Sequence, residues 1–143
     1  MDNEAPRKNR LILTVGLPRA GKDTWAMQQG FPIVNPDAIR LAMHGQRFYT
    51  PAEPLVWAMA QLMVDALFIA GHDTVIVNAT NVTEKRRQAW TIPRAGIDIE
   101  YEVFTTDPKT CIQRAIDSDR EDLIPVIKRM AEEWDICPRP WEK

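Results

Sequence analysis

The sequence predicts an α/β protein in which a parallel sheet carries helices on both faces. Three observations predict it. Short apolar runs alternate along the chain with segments of helical periodicity. A glycine-bearing loop joins the first apolar run to the first helix. Polar residues gather where the runs end, and ligands of parallel α/β sheets bind at the carboxyl ends of the strands.

The loop is the most informative stretch. It reads Gly16-Leu17-Pro18-Arg19-Ala20-Gly21-Lys22-Asp23-Thr24. The apolar run Leu11-Ile-Leu-Thr-Val15 precedes it as a buried strand, and Trp25-Ala-Met-Gln-Gln follows as the start of a helix. Strand, glycine loop, Gly-Lys and helix form the context of a phosphate-binding loop. Glycines let backbone N–H groups turn inward around α- and β-phosphates, and Lys22 reaches the β- and γ-phosphates as a point charge. The consensus places Ser or Thr after the lysine, where its hydroxyl binds Mg²⁺. Here that place holds Asp23, with Thr24 behind it.

Composition narrows the class. The chain has 143 residues, 45% apolar and 27% charged, the size of one soluble domain (1–143). A net charge of −2 leaves nucleic acid open as a partner but requires any basic surface to be local. Cys111 and Cys137 have neither metal nor redox spacing and read as free thiols of a reducing cytoplasm. His44 and His72 are isolated. No stretch reads as long enough to span a membrane, and the N-terminus has no signal-peptide core.

Taken in order, residues 1–9 read as a flexible polar tail, with Arg7, Lys8 and Arg10 near its end. The first strand spans about 10–15, and a short helix follows the loop to Gly30. Phe31-Pro-Ile-Val34 is a second strand. Pro36 opens a helix that runs to His44-Gly45. Residues 46–49 are a loop. Thr50 to Glu53 is a capping box, behind which Leu55, Met59, Leu62, Met63, Ala66 and Leu67 recur at helical spacing as a core face, with Trp57 also packed. Residues 73–77 form a third strand ending at Asn78-Ala-Thr-Asn81. Asn81 and Glu84 cap a helix through Trp90, residues 97–104 form a fourth strand, and Asp107-Pro108 caps a helix carrying Arg114 and extending towards Arg120. Pro125 opens a last helix through Trp134, and 136–143 is an irregular tail.

Phosphoryl transfer needs a phosphate cradle, a metal site, a base for the acceptor hydroxyl and cations over the moving group. Asp37, after the second strand, can take an alcohol proton; read alone, it is equally a helix cap. Arg40, three residues on along the same helix face, can hold an acceptor phosphate. Arg114 and Arg120 follow the fourth strand, where a mobile lid brings guanidinium groups onto β- and γ-phosphates. Lys85, Arg86, Arg87 and Arg94 supply either local positive charge for nucleic acid or a solvated helix face.

Over about residues 10–135 the chain resembles the kinase domain of phage polynucleotide kinases, within the small P-loop kinases. Leu11 to Ala26, Asn35-Pro-Asp-Ala-Ile-Arg40 and Val77 to Trp90 carry the resemblance. It implies a P-loop NTPase fold with four parallel strands in the order 2-3-1-4 and an Arg-bearing lid. It also implies ATP and Mg²⁺ as cofactors and cytoplasmic location (the host's, if phage-encoded). Lys22 and Thr24 then bind ATP phosphates, Asp37 is the general base, Arg40 orients the acceptor with Asn78, Thr80 and Asn81 beside it, and Arg120 and Arg114 serve the lid.

Two departures stand out. Asp23 replaces the loop hydroxyl, and Asn78 stands where related kinases commonly carry Asp. The carboxylate has moved from one side of the metal site to the other, or both changes mark a weakened activity. The implied acceptor is a hydroxyl on nucleic acid, first the 5′-hydroxyl end of DNA or RNA. The hydroxymethyl group of 5-hydroxymethyluracil in phage DNA, a nucleoside or another small alcohol are the alternatives, and a non-catalytic nucleotide-binding module is the reading from another class.

Overall fold

The computed structural model describes residues 8–45, 48–136 and 138–142. Most of the expected polar tail (residues 1–7, with Arg7), Gln46 and Arg47 of the expected loop, Cys137 and Lys143 lie outside the described residues. Strands β1 (Arg10–Val15), β2 (Ile33–Val34), β3 (Thr74–Val77) and β4 (Asp98–Val103) alternate with helices. The helices are α1 (Lys22–Gln28), α2 (Pro36–His44), α3 (Glu53–Ile69), α4 (Glu84–Thr91), α5 (Pro108–Asp117) and α6 (Ile124–Glu133). The strands form one parallel sheet in the order β2-β3-β1-β4, the order expected. Leu11 pairs with Val75 and Leu13 with Val77, which puts two near-continuous apolar runs at the centre, where both faces are covered.

Alternation along β1 and β3 sorts the core. Leu11, Leu13, Val75 and Val77 pack with Val34, Ile39, Val56, Ala60, Val64 and Trp90, brought by β2, α2, α3 and α4. Ile12 and Ile76 face the other way and pack with Ala26 of α1. A third cluster lies past the carboxyl ends, where Val15, Leu17 and Ala20 meet Cys111 and Ala115 of α5 and Ile127 and Trp134 at α6. Leu17 and Ala20 therefore anchor the glycine loop in the core. Cys111 is a buried free thiol, and burial pushes its pKa up.

Several local expectations are corrected. Thr50 and Glu53 make no capping box. Thr50–Ala52 winds into a 3₁₀ turn, α3 starts one residue later, Thr50 makes no cap bond, and Glu53 is claimed by Arg40. Leu55, Met59, Leu62, Met63 and Ala66 are exposed, and Val56, Ala60 and Val64 form the core face of α3, with Trp57 and Leu67 packed against it as expected. Asn81 does not cap α4. Thr83 does, through a 3.3 Å bond from the Arg86 amide, while Asn81 takes a left-handed φ of 46° and donates to the Thr14 carbonyl. Arg120 lies beyond the end of α5, in the turn before a second 3₁₀ segment, Glu121–Leu123. The 20-residue stretch Thr50–Ile69 does have the length and composition of a membrane span, against expectation, although one side of it is committed to the sheet. Lys8 is tied to β4 through Asp98 at 2.8 Å.

Candidate active site

The site grows from the end of β1. Gly16 leaves the strand where a Cβ would lie 2.9 Å from that of Phe104, too close for any side chain. Arg19 and Gly21 adopt left-handed φ values of 70° and 101°, so the loop folds back on itself before α1 begins. Lys22 opens α1 and is buried. Its ammonium donates to the Leu17 carbonyl across the loop. Burial lowers its pKa to about 8, against the opposing charges of Asp23, Cys111 and Asp37. One hollow of about 280 Å³ is bounded by Arg19, Gly21, Lys22, Asp23, Thr24, Arg114 and Ser118. Arg114 closes it by donating to the Arg19 carbonyl at 3.1 Å.

On the other side of Lys22 a second cavity of about 570 Å³ gathers Asp37, Arg40, Asn78, Thr80, Asn81 and Arg120 with Lys22 and Asp23. These residues come from four separate segments. Asn35 caps α2 by accepting from the Asp37 amide at 2.9 Å, so Asp37 needs no capping role of its own. Arg40 donates to the Asp37 carboxylate at 2.6 Å and to both Glu53 oxygens at 2.8 and 2.7 Å. The bond from Arg40 holds the Glu53 carboxyl below the usual carboxylate range, against the effect of burial. Arg120 grips Asp122 with two bonds of 2.9 Å.

Asp23 and Asn78 meet directly. The Asn78 amide donates to the Asp23 carboxylate at 2.6 Å. The two positions at which the sequence departs from the expected pattern thus meet in the lining of the second cavity. One exposed carboxylate beside a phosphate loop suits Mg²⁺, which keeps most of its waters and takes one or two carboxylates plus phosphate oxygens. Asn81 is more structural than expected, since its amide is spent on Thr14 and it is buried. Gly16, Leu17 and Ala20 line neither cavity and shape the loop from behind.

The basic run divides. Arg87 is buried on Asp135 and the Asn81 carbonyl, and Arg94 is buried on Asp65 and two carbonyls. Neither offers free positive surface. Arg86 alone of the four lines the cavity, its guanidinium stacked 4.1 Å from the Trp57 ring centroid. Burial, then the charge of Arg40, lowers its pKa, and no salt bridge holds it among the described residues. Phe48, exposed and 5.6 Å from the Arg40 guanidinium, completes an aromatic and cationic wall. The sequence reading misses Phe48, takes Glu53 as a cap and Trp57 as core packing, and names Arg86 only as one of four basic residues. The i, i+4 spacing of Glu53 and Trp57 was the available signal that both share a face.

A parallel 2-3-1-4 sheet with a phosphate loop after its first strand defines the P-loop kinase fold, and a loop of this kind binds nucleotide phosphates. Residues 11–124 match the family described as AAA domain, and the chain belongs to it. Among solved structures, a chain of the Pnkp1/Rnl/Hen1 complex is 27% identical with a TM-score of 0.69, over 79% of this chain and 41% of that one. This chain therefore spans about two fifths of that relative. The Mycobacterium tuberculosis APS kinase CysC, in complex with AMPPNP and APS, is 20% identical with a TM-score of 0.60, over 77% of this chain and 70% of that one. A gluconokinase from Sinorhizobium meliloti is 16% identical with a TM-score of 0.56, over 93% of this chain and 81% of that one.

Proposed function

We propose that the protein is an ATP-dependent kinase whose acceptor is a hydroxyl on nucleic acid, first the 5′-hydroxyl end of DNA or RNA. The observation that carries this reading is the Asp37–Arg40 pair, joined at 2.6 Å and sharing one cavity with Lys22. A nucleotide binder that transfers nothing needs neither residue. The loop from Gly16 to Thr24 holds the ATP phosphates. Asp37 accepts the proton as the acceptor oxygen bonds to the γ-phosphorus and the bond to ADP breaks. Arg40 positions the acceptor, with Asn78, Thr80 and Asn81 along its wall. Arg120, with Arg114 clamping the loop, places positive charge near the transferred group.

Asp23, with Asn78 behind it, would hold Mg²⁺, which supplies charge neutralisation on the β- and γ-phosphate oxygens. Arg86 and Phe48 favour a nucleotide over a neutral alcohol, because bases stack on aromatic and guanidinium planes and phosphates need an unpaired cation. The likeness to a chain of the Pnkp1/Rnl/Hen1 complex supports a nucleic-acid-related acceptor. The fold shared with APS kinase and gluconokinase keeps a small-molecule or nucleoside acceptor as the second reading.

The test is transfer of labelled γ-phosphate from ATP with magnesium. One arm offers 5′-hydroxyl oligonucleotides and another offers 5′-phosphorylated DNA containing 5-hydroxymethyluracil. A third arm offers nucleosides, and Asp37→Asn is the control. Label on the 5′ ends, lost in the control, is expected. Label only on the modified base moves the acceptor to that hydroxyl. ATP binding with no transfer in any arm refutes the kinase reading of nucleic-acid hydroxyls.

A further inference from the structure

Helix α3 commits one side to the sheet through Val56, Ala60 and Val64 and leaves another bare. Leu55, Met59, Leu62, Ala66 and Ile69 follow one another at steps of four, three, four and three residues. A repeat averaging 3.5 residues is the seam along which two helices pack side by side. All five are exposed, Leu62 to 64% and Ile69 to 86%. No charge interrupts the seam. The two carboxylates of α3 are engaged elsewhere, Glu53 by Arg40 and Asp65 by Arg94.

We propose that this seam packs against the same seam of a second copy of the chain, antiparallel, about a two-fold axis near Leu62. A two-fold contact brings like surface to like surface, and an uncharged seam meets no repulsion there. Leu62 is the middle residue of the five. The antiparallel arrangement sets Met59 of each copy opposite Ala66 of the other, a long side chain against a short one.

The area is sufficient. With neighbouring Met63, the exposed apolar surface is on the order of 500 Å² per copy, as large as the largest patches monomers carry. Two copies together cover on the order of 1,000 Å², where specific interfaces begin. A lipid surface is a poorer occupant. Helices that lie on headgroups are rich in lysine and arginine, and α3 has neither.

The test is sedimentation velocity on the full chain from ~1 to ~100 µM, the range that resolves a micromolar dimer. Wild type is expected to pass from monomer to dimer. Leu62→Glu and Leu62→Lys should each weaken association at least about tenfold. Both should keep the melting temperature of the dilute wild type, because this side chain is exposed in the monomer. Mixing the two variants should restore a heterodimer, which a folding defect cannot do. Ile92→Glu, an exposed apolar residue off the seam, should leave association unchanged. Wild type that stays monomeric to the top of the range, whether or not it floats with anionic vesicles, overturns the proposal. So does undiminished dimerisation of both Leu62 variants.

Discussion

Replacing Glu53 by glutamine takes from Arg40 the carboxylate that fixes it while keeping the side-chain volume. The pair makes two charge-assisted bonds, and its side chains are only 11% and 14% exposed. Exposed ion pairs contribute about 0.2–1 kcal/mol, and breaking a fully buried pair costs about 3–5 kcal/mol. This site lies between, so Glu53→Gln should destabilise by about 2 kcal/mol, on the order of 5 °C in melting temperature for a chain of this size. The pH dependence has a defined sign. The folded-state pKa of Glu53 is depressed, so its contribution is complete above the ordinary carboxylate range and is lost as pH falls through the folded value. Urea melts of both proteins should differ most near neutrality and converge in acid. In the kinase assay the KM for the acceptor should rise about tenfold with the KM for ATP unchanged, if Arg40 positions the acceptor as proposed. Equal stability at neutral pH, or a gap of constant size down to acid pH, would refute this account of the pair.

Asp37→Asn should lower kcat by about 10²–10⁴ with ATP affinity retained, read by single-turnover transfer and nucleotide titration. Lys22→Met should abolish ATP binding yet stabilise the nucleotide-free protein by about 2–3 kcal/mol near neutrality, because the folded state disfavours the buried ammonium. With a pKa near 8 against 10.5, that penalty is full below pH 8 and fades as pH rises towards 10.5. The advantage should shrink over the same window in denaturant melts, and a constant advantage would count against burial as the cause. Asp23→Ser should raise the magnesium concentration for half-maximal rate about tenfold or more, and adding Asn78→Asp should recover most of it. An unchanged magnesium profile in the single variant removes Asp23 from the metal site.

The strands and the loop are legible because their signals are local: apolar runs bounded by turns, and glycines at set distances from a lysine; the order 2-3-1-4 comes only with the family resemblance. The phase of α3 is not legible. Leu55-Met59-Leu62 and Val56-Ala60-Val64 are both helical stripes, and a helix apolar nearly all round does not declare which one meets the sheet. Glu53 looks like a cap in sequence because Thr-x-x-Glu is a capping pattern. A 3₁₀ turn delays the helix, and Arg40, thirteen residues earlier, outbids the backbone for its oxygens. The four cations of the basic stretch look alike in sequence. Only the fold brings Asp135 to Arg87 and Asp65 to Arg94, leaving Arg86 to face the cavity.

The boundary at which family likeness stops is not the boundary at which the fold closes. The match ends at residue 124, the first residue of α6. Beyond it, Ile127 and Trp134 complete the cluster that seats Leu17 and Ala20 beneath the phosphate loop. Asp135 bonds to the buried Arg87 and to the Glu84 amide that opens α4. Its own carboxyl is held low by these donors in spite of burial. A chain cut at the end of the likeness would keep every residue of the phosphate loop and lose the floor under it. It would also take from Arg87 its carboxylate partner, at about 1–2 kcal/mol, since Asp135 is itself 38% exposed and Arg87 keeps its bond to the Asn81 carbonyl. Helix α6 and the residues just after it therefore work as a keystone, packed beneath the loop from outside the family match.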